Sequence, residues 1–171
     1  MLEKLGVYSL FEPGWVQNRV MWIVCGFFPS ICDLGIEALA TTNIEADDED
    51  RMQVYMGHFP AGESTQTLLH YGQTYKHDKF QEFDYTRLGN ELHYGTPEPP
   101  VIDLTLIEDK VPIAMFVGLD DELATPEDAR WTRDQIGDAV VHYQEQIGGH
   151  ISFTIGKDMT YFSETAMDII Q

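Results

Sequence analysis

The sequence predicts an α/β fold in which late parallel strands are flanked by helices, and three stretches of its C-terminal part carry the prediction. Residues 111–118 are a continuous apolar run that stops at a glycine, which is typical of a parallel strand buried on both faces. Thr125 and Pro126 are an N-cap residue and a first-turn proline, so a helix begins there. Residues 139–143 then begin a second strand, which completes a strand–helix–strand unit.

Chemically active residue types follow each predicted strand. The acidic residues 120–122 come after the first strand, and His150 comes after the second, behind two glycines. Because a strand–helix–strand unit brings the carboxyl ends of its parallel strands to one sheet edge, we expect the acid and the histidine to lie together. A carboxylate that accepts from one imidazole nitrogen leaves the other nitrogen free to take a proton from a nucleophile. On spacing alone, the alternative is a helix-capping acid and a loop histidine that make no contact.

Short sequence motifs spread along the chain resemble those of a known family. They lie at residues 57–65, 69–73, 79–85, 94–95, 99–100, 111–114, 118–126 and 149–153. Among them are Gly-His-Phe-Pro-Ala-Gly-Glu-Ser-Thr, Lys-Phe-Gln-Glu-Phe-Asp-Tyr and Gly-Leu-Asp-Asp-Glu-Leu-Ala-Thr-Pro. On these motifs the chain resembles the C-terminal half of the acid lipases, the gastric and lysosomal lipases within the α/β-hydrolases. The resemblance runs from about Leu5 to the C-terminus.

The resemblance implies a fold and two site residues. Residues 1–100 would form a mostly helical cap, and residues 101–171 would form the C-terminal part of the α/β-hydrolase core. Asp121 matches the family's triad acid in the pattern Gly-x-x-Asp-x-Leu-Ala-x-Pro, and His150 matches its triad histidine. The acidic neighbours of Asp121 do not match. The family usually has His-x-Asp-Phe, whereas this chain has Ser152 in place of that second acid, which puts fine tuning of the site in doubt.

The resemblance also implies a reaction, the hydrolysis of carboxylic ester bonds in apolar lipids (triglycerides or steryl esters) through an acyl-serine. The nucleophile elbow Gly-x-Ser-x-Gly occurs nowhere in the 171 residues. Ser64 follows Gly62 at the elbow spacing, but Gln66 stands where the elbow needs glycine, so we interpret Ser64 as a helix cap. We therefore expect the C-terminal portion of a lipase whose serine lies upstream, with the N-terminal half as a candidate partner. The alternative is a non-catalytic, lipase-like fragment that acts as a structural or interaction subunit.

The composition limits which binding partners and which cellular compartment are expected. Ten basic and 29 acidic residues give a formal charge of −19, which argues against nucleic acid and against attraction to anionic membranes. The apolar residues 20–31 are too few for a transmembrane segment, which needs ~20. Neither a cofactor nor a metal is expected. The resemblance implies a secreted or lysosomal protein, but residues 1–10 lack the apolar core of a signal peptide, so we expect the chain to begin inside a longer one.

Two polar features leave alternatives open. Cys25 and Cys32 could form one local disulfide in an oxidising compartment or remain buried thiols, and we favour the disulfide. The polar residues 41–51 lack the central glycine and terminal glutamate of an EF-hand loop. A solvated loop or the start of a helix is therefore expected there, rather than a calcium site.

Apolar spacing predicts the remaining elements. Helices are expected from Trp15 to Cys25, over 32–40, over 51–58, from Ser64 or Thr65 to about 79, and over 158–171. The residues expected to point inward are Trp131 and Ile136 on the helix after Pro126, Leu68, Leu69, Tyr71 and Tyr75 on the helix after Ser64, and Met159, Phe162, Ala166 and Ile169 on the last helix. Phe80, Phe83 and Tyr85 form an aromatic cluster that we interpret as core packing, the alternative being an acyl-chain pocket in the cap.

Overall fold

A computed structural model describes residues 9–10, 14–28, 30, 34, 43, 45–59, 61–77 and 79–170 of the chain. The elements are β1 (Ser9–Leu10), α1 (Trp15–Phe27), α2 (Glu49–Met56), β2 (Glu63–Ser64), α3 (Thr65–His77), α4 (Thr86–Tyr94), a 3₁₀ segment (Leu104–Lys110), β3 (Ile113–Gly118), α5 (Pro126–Ile136), a 3₁₀ turn (Gly137–Ala139), β4 (Val140–Gln146), α6 (Ser152–Ile155), a π-helical segment (Tyr161–Ala166) and α7 (Met167–Ile170). The predicted helix over 32–40 lies almost wholly outside the described residues.

The chain divides into two compact units. The first unit contains the described residues of 1–13 and 60–103, and the second contains those of 14–59 and 104–171. The chain thus combines helices with a small parallel sheet, and the assignment of residues 1–100 to a cap stays a prediction. No helix within the described part of the chain is long and apolar enough to cross a membrane.

The predicted strand–helix–strand unit is present in the second unit. Strands β3 and β4 pair in parallel, in register from Ala114 opposite His142 to Gly118 opposite Gln146. The prediction that the first strand is buried on both faces is wrong for most of its length. Only Val117 and Gly118 are buried, and the other residues of β3 are half-buried. The physical reason is that the described part of this sheet has only two strands, so β3 has one hydrogen-bonded neighbour.

Local signals correctly set the ends of α5. The Thr125 hydroxyl accepts from the backbone N–H of Asp128, Pro126 occupies the first turn, and Gly137 follows the helix at a φ of 67°. Ile136 is buried as predicted, but Trp131 is 51% exposed, so its predicted inward position is wrong. Five residues along an α-helix correspond to a rotation of about 140°, so one narrow stripe cannot bury both side chains.

The hydrophobic core of the second unit joins α1, α2 and the segment after β4. It consists of Cys25, Met52, Met56, Ile151 and Ile155. Helices α1 and α2 confirm two of the predicted helices. Cys25 is disulfide-bonded, so the favoured alternative, a disulfide rather than a buried thiol, is correct for this residue. Cys32 lies outside the described residues.

The first unit is held together by a polar helix face. Ser64 caps α3 by accepting from the backbone N–H of Gln66 at 3.2 Å, as predicted. The predicted apolar face is wrong: its members are exposed, at Leu68, Leu69, Tyr71 and Tyr75. The opposite face carries Gln66, His70 and Gln73, which form hydrogen bonds with residues in the range 81–85. This helix therefore docks through hydrogen bonds, a role that hydrophobic spacing does not detect.

The aromatic cluster is organised by a helix that the sequence did not reveal. Phe83 and Tyr85 are half-buried and their rings are 4.7 Å apart, whereas Phe80 is 44% exposed. Tyr85 also stacks on His93 of α4, with ring centres 4.0 Å apart. Core packing is therefore confirmed for two of the three predicted members.

The C-terminal segment contacts β3 through a residue other than those predicted. Tyr161 lies against Phe116 of that strand, with ring centres 5.4 Å apart, and its hydroxyl donates to the Phe153 carbonyl at 2.7 Å. Phe162 and Ile169 are exposed, so the predicted stripe is wrong for them. The residues from Tyr161 to Ala166 form a π-helix, and its wider turns shift the side chains away from the 3.6-residue spacing.

Candidate active site

Asp121 and His150 lie on the loops that follow β3 and β4, and their side chains are in contact. The Nδ1 atom of His150 is 3.0 Å from Oδ2 and 3.3 Å from Oδ1 of the Asp121 carboxylate. The shorter distance is within the ordinary range for a hydrogen bond from N–H to a carboxylate. The Asp121 side chain is 5% exposed and that of His150 is 45% exposed, so the acid is buried and the imidazole reaches the surface. The predicted contact is therefore present.

The Asp121 carboxylate is fixed from its other side by the backbone. Its Oδ1 atom accepts from the N–H groups of Leu123 and Ala124, each at 2.9 Å. Burial of a carboxylate is costly unless hydrogen bonds replace its water, and here three donors do so. The two backbone donors orient the carboxylate, so that Oδ2 faces the imidazole.

The two loops are joined to each other directly. Backbone N–H groups of Leu119 and Asp120 donate to the carbonyls of Gln146 and Gly148, at 2.9 and 3.1 Å. A Cβ atom on Gly118 would lie 2.5 Å from the Gly148 carbonyl oxygen, so this close approach requires glycine at the end of β3. The acid and histidine loops are therefore bonded directly to each other at one edge of the sheet.

The acidic neighbours of Asp121 lie differently. Asp120 is exposed, and its carboxylate accepts from the side-chain amide of Asn43 at 2.7 Å. Glu122 is also exposed. The carboxylate that reaches His150 is thus the one predicted from the motif, and neither neighbour takes its place.

An ion pair binds α5 to β4 and so supports the unit that carries both loops. The Arg130 guanidinium donates to both carboxylate oxygens of Glu145, at 2.6 and 2.8 Å, and the Tyr143 hydroxyl donates at 2.8 Å. The bond from Arg130, followed by that from Tyr143, lowers the pKa of Glu145 from 4.5 to about 2. The same pairing raises the pKa of Arg130.

The polar run before α2 is only partly as predicted. Its helix start is confirmed, since the Asp48 carboxylate caps α2 by accepting from the N–H groups of Asp50 and Arg51. The prediction of a solvated loop is wrong for Asp47, which is 6% exposed. Its carboxylate accepts from the hydroxyl of Ser152, two residues beyond His150. Sequence reasoning missed Asp47 because nothing local distinguishes it from the acids around it.

A cleft of about 330 Å³ lies elsewhere in the second unit. It is lined by Glu45, Ala46, Gln144, Gln146, Ile147, Ser152, Gly156, Lys157, Asp158, Thr160 and Tyr161. Neither Asp121 nor His150 lines this cleft. Among the described residues, no group of three or more His, Cys, Asp or Glu side chains is placed to hold a metal ion.

The arrangement has a definite chemical capacity. A carboxylate that accepts from Nδ1 holds the neutral imidazole in the tautomer with hydrogen on Nδ1. The lone pair of Nε2 is then available to accept a proton, and the resulting imidazolium is stabilised by the buried negative charge. Such a pair can act as a general base and then as a general acid.

Comparison with known proteins finds lipases that are similar to this chain, although no protein-family model matches it. Human lipase member N is 34% identical over 145 residues, which are 83% of this chain and 34% of that protein. The tear acid lipase-like protein of Mesocricetus auratus is 34% identical over 125 residues, 72% of this chain and 31% of that protein. Bos taurus gastric triacylglycerol lipase is 32% identical over 129 residues, 75% of this chain and 32% of that protein. The chain thus spans about a third of the length of these relatives.

Proposed function

The chain belongs to the acid lipase family, and from this premise we propose that Asp121 and His150 are the acid and the general base of a carboxylic ester hydrolase. The observation that supports the proposal most is the 3.0 Å contact between Nδ1 of His150 and the buried Asp121 carboxylate. It joins the two residues that the motifs assign to the family's triad. The third member is a serine outside these 171 residues, which contain no Gly-x-Ser-x-Gly.

The proposed mechanism uses Nε2 of His150 twice. It first takes the proton of the serine hydroxyl while the serine oxygen attacks the ester carbonyl carbon. Collapse of the tetrahedral intermediate breaks the bond to the alcohol oxygen, which receives that proton from Nε2. Water then attacks the acyl-serine with the same assistance, releasing the fatty acid and restoring the hydroxyl. Asp121 keeps its charge throughout and stabilises the imidazolium.

The proposed substrates are esters of apolar lipids, either triglycerides or steryl esters. The names of the relatives support this class, since the Bos taurus protein is a gastric triacylglycerol lipase. The proposed setting is secreted or lysosomal, and the disulfide at Cys25 fits an oxidising compartment. The proposed partner is the sequence that supplies the serine, while the charge of −19 makes nucleic acid a poor one.

One observation favours a second candidate function. The chain carries the acid and histidine without a nucleophile elbow, so a non-catalytic, lipase-like subunit would also explain the sequence. In that case Asp121 and His150 would serve the fold alone. The two candidates differ in one respect that can be measured, namely whether an activated serine is ever present beside His150.

The test begins with the transcript that contains the codon for Met1. We expect its reading frame to continue upstream through a Gly-x-Ser-x-Gly, and we call its full product the extended polypeptide. A fluorophosphonate probe should then label the elbow serine in the extended polypeptide and should fail to label the His150→Ala variant, because activation of the serine needs the imidazole. A reading frame without an elbow, or equal labelling of both proteins, would favour the non-catalytic subunit.

A further inference from the structure

The acidic turn, defined as residue 43 with residues 45–48, contacts both loops of the candidate site. Asp47 is its buried member, with 6% of its surface exposed. Its Oδ1 atom accepts from the Ser152 hydroxyl at 2.5 Å, and its Oδ2 atom accepts from the backbone N–H of Asn43 at 2.8 Å. A buried carboxylate held by short, charge-assisted bonds fixes its donors more firmly than a neutral acceptor does.

Ser152 connects Asp47 to the backbone on both sides of His150. The residue is 5% exposed, and its Oγ accepts from the backbone N–H of Gly149 at 2.9 Å while donating to Asp47. Gly149 immediately precedes the histidine, and Ser152 follows it by two positions. The hydroxyl therefore spans the backbone turn from which the imidazole projects.

The same turn also reaches the acid loop. The side-chain amide of Asn43 donates to the Asp120 carboxylate at 2.7 Å, one residue before Asp121. Backbone bonds hold the turn in place on the other side, from the N–H of Asp48 to the Ile155 carbonyl at 2.8 Å and from the N–H of Lys157 to the Ala46 carbonyl at 2.7 Å. One turn thus sets the position of both loops.

We propose that Asp47 is a positioning residue for the Asp121–His150 pair, acting through the hydroxyl of Ser152. The proposal rests on the proposed function, because it gives Asp47 a role only through His150. Without the Asp47 carboxylate, the Ser152 hydroxyl loses its acceptor and the turn that presents the imidazole loses a buried anchor. His150 would then leave the geometry in which Nδ1 donates to Asp121.

Exchange of the two side chains tests the proposal most sharply. Asp47→Ser leaves two hydroxyls too short to meet, and Ser152→Asp brings two buried carboxylates together. The double variant restores one carboxylate and one hydroxyl with their places exchanged. If the contact positions His150, each single variant should disturb the bond between His150 and Asp121, and the double variant should largely restore it. A double-mutant cycle measures this recovery as a coupling free energy between the two positions.

The first readout is the ¹⁵N chemical shifts of the His150 ring in the 171-residue chain, assigned by comparison with His150→Ala. The wild-type chain and the double variant should show hydrogen on Nδ1, while the single variants should show mixed tautomers. Ser152→Ala provides a milder variant for the case in which a single exchange prevents folding. Ser163→Ala is the matched control, because the Ser163 hydroxyl is exposed and donates to the Met159 carbonyl, four residues earlier in the chain. Wild-type tautomer in Ser152→Ala and in both single variants, even with lowered stability, would overturn the proposal.

The second readout is ester hydrolysis by the extended polypeptide. The single variants should lose kcat by up to about 100-fold, the cost of a misplacement of about 1 Å, with KM nearly unchanged. The double variant should regain most of that loss, and no recovery would count against the proposal. Absence of turnover in the wild-type extended polypeptide would refute the proposed function instead, and the tautomer measurement would still decide the positioning role.

Discussion

Replacement of the Asp121 carboxylate should separate its effect on the fold from its effect on His150. Asp121→Ala removes the acceptor of two backbone N–H groups and of the imidazole. An unsatisfied donor at a partly buried site costs about 1 kcal/mol or more, so we expect a loss of about 2–4 kcal/mol in the free energy of unfolding. Asp121→Asn should cost only about 1 kcal/mol, because its amide oxygen can keep the two backbone bonds.

The same asparagine should disable the imidazole. The two backbone donors hold the amide oxygen at the position of Oδ1, so the NH₂ group takes the position of Oδ2, 3.0 Å from Nδ1. An NH₂ group there donates to Nδ1, which moves the imidazole hydrogen to Nε2 and blocks the general base. Turnover by the extended polypeptide should fall by about 10⁴-fold, the magnitude of a wrong tautomer in a serine hydrolase.

Urea titration measures the stability of the two Asp121 variants, and p-nitrophenyl butyrate hydrolysis measures their activity. Glu122→Gln is the matched control, an acid-to-amide change one residue away on an exposed side chain, and it should affect neither quantity strongly. Loss of turnover in Asp120→Asn with full turnover in Asp121→Asn would show that the acid is assigned one residue too late. Equal, small losses in all three amide variants would refute the tautomer argument.

Three further outcomes follow from the fold and the site. The 171-residue chain alone should not hydrolyse p-nitrophenyl butyrate, and turnover that disappears in His150→Ala would show that the chain contains its own nucleophile. The pKa of Glu145 is lowered to about 2 in the fold, so the stabilising effect of this carboxylate is fully present above pH 4.5 and is lost as the pH falls through about 2. Glu145→Gln should therefore lower the urea midpoint at neutral pH and should differ less from wild type as the pH falls from 4.5 to 2; a constant difference would contradict this. Ile155→Ala should cost about 2–5 kcal/mol because Ile155 is 1% exposed in the core, whereas Ile147→Ala, at a residue that is 72% exposed, should change the free energy of unfolding by about 0.5 kcal/mol or less.

Local signals account for the parts of the fold that the sequence predicted well. Thr125 caps the first turn of α5 and Gly137 ends its last turn. Both ends of the helix can therefore be predicted from the local sequence, without knowledge of what packs against it. The contact between Asp121 and His150 was predictable for a second reason. Parallel strands joined through one helix bring their following loops to the same edge, and the sequence motif selects one acid from three.

The elements and residues that the sequence did not predict depend on partners distant along the chain or on polar packing. Helix α4 has no side-chain cap, and its anchor is the buried Asn90, which bonds to Asp84 and to the Pro97 carbonyl. Nothing in the apolar spacing of that segment reveals these bonds. Asp47 is likewise distinguished from its acidic neighbours by its bond from Ser152, which lies 105 residues away in the sequence.

The central claim is that His150, held by Asp121, is the general base of a serine esterase. The most direct test is kcat/KM for p-nitrophenyl butyrate in the extended polypeptide and in its His150→Ala variant, with both proteins shown to be folded by circular dichroism. Loss of a triad histidine should lower this quantity by at least about 10³-fold, leaving only the residual rate due to binding and oxyanion stabilisation. A variant that keeps kcat/KM close to that of the wild-type protein would contradict the claim.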